Sequence, residues 1–221
     1  MIPYYDDGNG IQIFHGDCRE ILPTLGPVDL VLTDPPYGYG FASGWLSTHR
    51  GRQIANDQDT TARDEALSLC DGSPWAVFGS WKVQPPTGAK TAIVWDKGPA
   101  SGMGDLSLPW KCSWEIIWIG GSGWHGHRGE GVLTGHHVVT WETRGRHHIN
   151  EKPVTLINAI LKKAPAGIIL DPFMGSGTTL VAAKELHRKA IGCEIEEAYC
   201  EIAANRLAQG VLPYGTSEEQ T

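Results

Sequence analysis

Two periods of hydrophobic and polar residues take turns along this chain. Short apolar runs stand at Ile11–Phe14, Val28–Leu32, Trp75–Trp81, Ala92–Trp95, Ser113–Ile119, Gly167–Leu170 and Lys189–Glu194. Rich in Val, Ile, Leu and Trp, these runs predict strands, and those without polar alternation predict strands buried on both faces. Between them, apolar residues recur at helical spacing. Arg19–Leu25 carries Ile21, Leu22 and Leu25, and Val154–Lys163 carries Leu156, Ile157, Ile160 and Leu161. Leu180–Leu186, Glu197–Leu207 and a shorter piece at Asp64–Leu69 read the same way. Strands that alternate with helices predict an α/β chain.

Two of these strands run into unusual chemistry. Val28–Leu32 stops at Thr33-Asp34-Pro35-Pro36-Tyr37. Ligands of open α/β sheets bind just beyond the carboxyl ends of strands, so the tetrad Asp34–Tyr37 stands where a reaction would occur. The prolines fix φ and supply no N–H, which holds the segment in a stiff, non-helical shape. That shape can aim the Asp34 carboxylate and the Pro35 carbonyl at one point beside the Tyr37 ring. Two acceptors and a flat apolar face suit a planar group bearing an amine, such as a nucleobase. Read alone, the tetrad is equally a proline-stiffened turn.

The second strand, Gly167–Leu170, runs into Asp171-Pro172-Phe173-Met174-Gly175-Ser176-Gly177-Thr178-Thr179 and then a helix. Its glycines permit close backbone approach to a ligand, and the helix start offers free N–H groups. The stretch lacks the Gly-Lys-Ser/Thr ending of an ATP-binding loop and the third glycine of a dinucleotide fingerprint.

Together the two stretches resemble the D-P-P-Y catalytic motif and the F-x-G-x-G cofactor motif of amino-methyltransferases that use S-adenosylmethionine. The catalytic motif comes first, which is the order of the β-class DNA methyltransferases. The resemblance implies a three-layer α-β-α sandwich around a Rossmann-like, seven-stranded, mostly parallel sheet, circularly permuted, with the two chain ends close together. It implies one methyltransferase domain over residues 1–209, with a catalytic half at 1–119, a target-recognition insertion at 120–148 and a cofactor half at 149–209. Residues 210–221 read as a polar tail.

The same resemblance distributes roles. Asp34 and the Pro35 carbonyl would bind the amine, Pro36 would stiffen the turn, and Tyr37 would stack a base flipped out of the duplex. Only the Tyr37 ring is used in that role, so Tyr37→Phe is expected to be nearly silent. S-adenosylmethionine would be held by Asp171, Phe173, Gly175, Ser176, Gly177, Thr178 and Thr179 of the turn, and by Asp17 with Cys18 at the end of the first strand. Asp17 also reads as an N-cap for the following helix. Lys152, in a stretch similar to the family's H-P-x-x-K-P, would pair with the methionine carboxylate; Ile149 replaces the usual first proline. Glu194, about twenty residues past the turn, suits a ribose diol.

Cytosine-N4 members of the family more often carry Ser in place of Asp34, which points to adenine N6 as the target, with cytosine N4 the nearest alternative. A silent nucleotide-binding module and an NAD-dependent oxidoreductase are further alternatives. The oxidoreductase would need a complete Gly-rich turn and would have no use for D-P-P-Y.

Composition bounds the partners. The net charge of −7 sits awkwardly with double-stranded DNA as substrate, but the acids gather towards the C-terminal end. Gly38–Thr61 is long and aperiodic and contains Arg50 and Arg52. Gly120–His148 contains Arg128, Arg144, Arg146 and six of the nine histidines. Both read as loops that meet DNA phosphates or base edges. The histidine spacings match no zinc pattern, so no metal is expected. Five scattered cysteines without a C-x-x-C pair, and no apolar run of eighteen residues, predict a cytoplasmic protein without a membrane span. A cognate restriction endonuclease would be a fitting partner, and a monomer or homodimer a fitting state. Trp81 reads either as a wall of a base pocket or as a core residue.

Overall fold

The computed structural model describes residues 1–38, 55, 57–98, 106–136 and 151–209. Among these, nine strands and five α-helices follow one another. They are β1 (Tyr5–Asp6), β2 (Ile11–His15), α1 (Cys18–Ile21), β3 (Leu30–Thr33), α2 (Thr61–Leu69), β4 (Trp75–Gly79), β5 (Ala89–Asp96) and β6 (Trp114–Gly120). After these come β7 (Val132–Leu133), α3 (Val154–Leu161), β8 (Ile169–Asp171), α4 (Thr178–Glu185), β9 (Ala190–Glu194) and α5 (Glu197–Ala208).

All nine strands form one sheet in the order β1-β2-β9-β8-β3-β4-β6-β5-β7. From β2 to β4 the pairing is parallel, and β6 runs antiparallel to both of its neighbours. Seven strands of three or more residues make the expected mostly parallel sheet. The other two, β1 and β7, are two residues each and extend its edges. Two residues are too short to leave a period in the sequence, and they pair because β2 and β5 offer open edges.

Alternation along the central strands sends side chains into two cores. Leu30, Leu32, Ala76, Phe78 and Ile169 face one side, where α3, α4 and α5 contribute Leu156, Ile157, Leu180 and Cys200. Val31, Trp75, Val77 and Leu170 face the other, with Ile21 of α1 and Ala66 of α2. Strands β3, β4 and β8 are buried along their whole length, as a strand covered by helices on both faces must be. The result is the three-layer sandwich.

Two local expectations change. Arg19–Leu25 forms one α-helical turn and then a 3₁₀ turn over Leu22–Thr24, because Pro23 has no N–H to continue an α-helix. Trp81 is 60% exposed, so it is not a core residue; β4 ends at Gly79 and the chain has left the sheet before it. At the other side of the sheet α5 packs on β2, and Tyr4 lies near Glu197 and Glu201 of α5. The first strands and the last helix are therefore neighbours, as a permuted chain requires. Among the described residues no helix is long and apolar enough to cross a membrane.

From β8 the chain passes through α4 to β9 on one side, and from β3 through α2 to β4 on the other. The sheet therefore switches direction between β8 and β3, and the crevice at their carboxyl ends is where such folds place ligands.

Candidate active site

Asp34 follows β3 directly and points its carboxylate into a group of charges. Lys152 Nζ lies 2.7 Å from Asp34 Oδ2 and 2.9 Å from Glu115 Oε1. The Tyr37 hydroxyl lies 2.7 Å from Asp34 Oδ1 and 2.5 Å from Glu115 Oε1, so one phenol proton stands between two carboxylates. Lys97 Nζ reaches the far oxygen of Glu115 at 3.3 Å. The ammonium of Lys152 also sits 4.9 Å from the centre of the Phe78 ring, a cation–π contact. Of the paired charges, Asp34 is the more open, its side chain 31% exposed against 10% for Lys152.

Burial sets the direction of each titration here, and the neighbours modify it. Loss of hydration lifts the Asp34 carboxyl above its usual range, with Lys152 pulling it down and Glu115 pushing it up. Burial also pushes Glu115 up, but Lys152 and Lys97 outweigh it and hold Glu115 below its usual range. Lys152 is favoured as a cation: burial works against its charge, and the carboxylates of Asp34 and Glu115 more than compensate. Tyr37 is driven well above the ordinary phenol range by burial and then by the two carboxylates, so it stays a donor.

The Gly-rich turn is held by its own backbone. Gly175 and Gly177 have φ of +51° and +82°, a left-handed conformation that glycine adopts without strain. A Cβ on Gly175 would meet nothing within 4 Å, so the surface above it is open, whereas one on Gly177 would press on Ala203 Cβ at 2.8 Å. Glu194, at the end of β9, accepts from Gly175 N at 3.0 Å and from Glu196 N at 2.8 Å. Burial raises its pKa, and those backbone N–H groups oppose the rise. Asp171 accepts from Thr33 Oγ1 at 2.6 Å and from Phe173 N at 3.2 Å. Buried, it titrates at about 6, because desolvation outweighs its hydrogen bonds from Thr179 and Thr33. The Thr33–Asp171 bond ties the ends of β3 and β8 together, and with them the two motif stretches.

Other expected residues fall differently. Asp17 caps α1 through Arg19 N at 2.9 Å, and Arg19 pairs with its carboxylate at 2.5 Å. Its capping role is thus the one observed. Cys18 is buried, with its thiol pushed up to about 12 by desolvation, and Phe173 packs on the same core. Only the Cys18 main chain could meet a ligand. Lys152 points at Asp34 and Glu115, so its ammonium is committed there rather than to a methionine carboxylate. Ser176, Thr178 and Thr179 are buried beneath the turn.

Arg128 is exposed, but its segment is fastened at the opposite end of the strands. His125 N donates to Lys163 O, Lys163 Nζ donates to His127 O, and His125 shares a hollow with Gly167 and Ile168, where β8 begins. The structure therefore separates Arg128 from the crevice, because antiparallel β6 carries the chain to the amino-terminal ends of the other strands. Arg50, Arg52, Arg144 and Arg146 lie outside the described residues, as does the tail beyond residue 209.

Three residues escaped the sequence. Glu115 left a signal, a carboxylate inside the apolar run Ser113–Ile119. Trp118 lines a hollow with Pro35, Pro36, Tyr37 and Phe78, although its strand reads simply as core. Arg206 of α5 left no signal. It pairs with Glu151 and donates to Ser176 O at 2.6 Å, clamping the turn from behind. Among the described residues Glu151 Oε2 is buried with no hydrogen-bond partner, and Oε1 lies 3.4 Å from Thr178 Oγ1. Among the described residues no three of His, Cys, Asp or Glu are grouped to hold a metal ion.

Comparison with known proteins places this geometry. A family model described as DNA methylase matches residues 80–205. YubD of Escherichia coli (strain K12) is 29% identical over 221 residues, covering 89% of this chain and 90% of YubD. Among solved structures, that of an M1.HpyAVI–SAM complex superimposes with a TM-score of 0.63 at 24% identity, over 89% of this chain and 99% of that one. The cytosine-N4-specific PvuII DNA methyltransferase gives a TM-score of 0.66 at 15% identity, over 92% of this chain and 88% of that one.

Proposed function

The chain belongs to the DNA methylase family of N6/N4 amino-methyltransferases, whose methyl donor is S-adenosylmethionine, and we propose that it methylates the N6 amine of adenine in double-stranded DNA. The observation that carries this reading is the Thr33–Asp171 hydrogen bond. It sets an amine-accepting carboxylate, Asp34, one strand away from a glycine turn built to receive a ligand. Membership removes the oxidoreductase alternative.

The residues at the turn fit the methyl donor. Open space above Gly175 admits a ligand against the main chain, Glu194 offers a half-buried carboxylate to a ribose diol, and Glu151 Oε2, without a partner among the described residues, offers an acceptor to an ammonium. When bound there, the cofactor supplies an electrophilic methyl group on sulfur. The rest of the chemistry belongs to the protein. An exocyclic amine is a poor nucleophile because its lone pair is delocalised into the ring. Hydrogen bonds from the amine to Asp34 and to the Pro35 carbonyl favour a tetrahedral nitrogen with a localised pair. Pro36 keeps that carbonyl in place, and the Tyr37 ring stacks the flipped base. Positioning and fixed charge therefore supply most of the acceleration.

Cytosine N4 would answer to the same geometry, and the PvuII enzyme shares the fold. Asp34, where cytosine members more often have Ser, favours adenine. We assign DNA contacts to Arg50, Arg52, Arg144 and Arg146, and target recognition to 120–148 as far as it reaches the crevice. Incubation with methyl-labelled S-adenosylmethionine and unmethylated plasmid, followed by nucleoside analysis, is expected to yield N6-methyldeoxyadenosine. Label in N4-methyldeoxycytidine would replace the adenine reading, and no label in DNA would remove the transferase reading.

A further inference from the structure

Resting on the reading of Asp34–Tyr37 as the site of methyl transfer to an amine, we propose that the Tyr37 hydroxyl and Glu115 carry away the proton that the amine must lose. The need for such a route follows from electron bookkeeping. The amine nitrogen forms its new N–C bond with its own lone pair, while the methyl's bond to sulfur breaks and leaves both electrons on sulfur. The nitrogen then carries a positive charge and one proton too many. It returns to neutrality only when an N–H bond gives its electron pair back to nitrogen and a base takes the proton.

Asp34 is the base in reach, and the structure shows where the proton goes next. Asp34 Oδ1, the Tyr37 hydroxyl and Glu115 Oε1 form a chain of short contacts, 2.7 Å and 2.5 Å. A proton arriving on Asp34 can pass to the phenol oxygen as the phenol's own proton passes to Glu115. Tyr37 ends unchanged, one proton has entered at Asp34, and one is held at Glu115 for release to water. With base and cofactor bound, Asp34 would be covered, so this second outlet matters most during the reaction.

The charged groups facing the chain make its two ends unequal. Lys152 touches both carboxylates and favours the anionic form of each. Lys97 faces only Glu115, and Asp171 adds its negative charge near Asp34. Asp34 is held above its usual range and Glu115 below its own, so the hop from Asp34 to Glu115 runs uphill and goes forward as Glu115 gives its proton up. The proposal reverses the expectation that Tyr37→Phe is silent.

The test is single-turnover methylation of a duplex by the full chain with saturating S-adenosylmethionine, in water and in deuterium oxide across a pH series. Tyr37→Phe keeps the ring, and Glu115→Gln keeps the shape. Each is expected to slow transfer by roughly 10²-fold, the usual worth of a proton-transfer group. Each should acquire a solvent isotope effect and a rate that rises with pH, and imidazole should restore part of the loss. A readout without cofactor accompanies it. Because the Tyr37 hydrogen bond lowers the Asp34 pKa, Tyr37→Phe should raise the pH at which the labelled Asp34 carboxyl titrates by NMR. Tyr37→Phe at the parental rate overturns the relay, as does a slow variant with no isotope effect, no pH dependence and no rescue. A parent that transfers no methyl overturns the underlying reading instead.

Discussion

At the end of β3 the site is made of side-chain charges, while at the ends of β8 and β9 it is made of main chain. Asp34 and Tyr37 meet Lys152, which lies 115 positions from Tyr37, and Glu115, which lies 78 positions from it. The turn at Gly175–Thr179 is instead fixed by Glu194, only 19 positions away, through a backbone N–H. Charges brought together from distant parts of the chain can be tuned against one another, which suits a step in which protons and electron pairs move. Main-chain donors and left-handed glycines cannot titrate, which suits holding a ligand in one place. The two ends therefore divide the reaction into reactivity and grip, and the Thr33–Asp171 bond joins them just beyond the β3–β8 ladder.

The largest effect expected is on the charged end. Lys152→Met leaves the half-buried Asp34 and Glu115 without their shared cation, which should cost about 3 kcal/mol of stability at neutral pH, the low end for a broken buried pair because Lys97 still faces Glu115. Urea unfolding measures this, and the loss should shrink in acid as the carboxylates protonate. An unchanged midpoint would mean that the cluster is held by packing alone.

Next comes Asp34→Ala, which removes the amine's acceptor while leaving Lys152 paired with Glu115. Methyl transfer should fall by about 10²–10³-fold or more, the worth of a preorganised polar contact to the reacting group. Affinity for S-adenosylmethionine should stay at the parental value by calorimetry, because the grip lies at the other strand ends. A loss of affinity equal to the loss of rate would erase the division proposed between them.

Asp171, at the join, tests the comparison through pH. Its pKa is raised to about 6 in the folded protein, from an ordinary 3.8. The folded state thus binds this proton more tightly, so the associated stability is fully present below 3.8 and is lost as pH rises through about 6. Ionised at neutral pH, Asp171 should cost roughly 3 kcal/mol. Asp171→Asn should flatten that part of the stability–pH curve, which thermal unfolding across a pH series would show. A parental slope in the variant would assign it to another carboxyl.

The smallest effect belongs to the main-chain end. Glu194→Ala removes a carboxylate that accepts two backbone N–H groups, and should weaken S-adenosylmethionine by about 1.5–3 kcal/mol. Calorimetry with an unchanged constant would take Glu194 out of the site.

Sequence by itself determined the seven longer strands, the two motif-bearing strand ends and the local turn. Buried parallel strands are nearly continuous apolar runs, so β3, β4, β8 and β9 could be read directly. The Gly-rich turn is legible because its constraints, positive φ and a nearby acid, act over a few residues. Tertiary structure alone decided which charges face Asp34. A strand's period says that Glu115 is out of place in an apolar run, but not that β6 returns antiparallel beside β4 and delivers it to Tyr37. Arg206 lies on a helix whose pattern gives no hint of the turn it clamps. Arg128 looked like a DNA contact by composition, yet the same antiparallel return carries its segment to the amino-terminal ends of the strands. Local sequence carries periodicity and backbone preference. The energy of a charge depends on which neighbours and how little water surround it, and only the folded chain settles that.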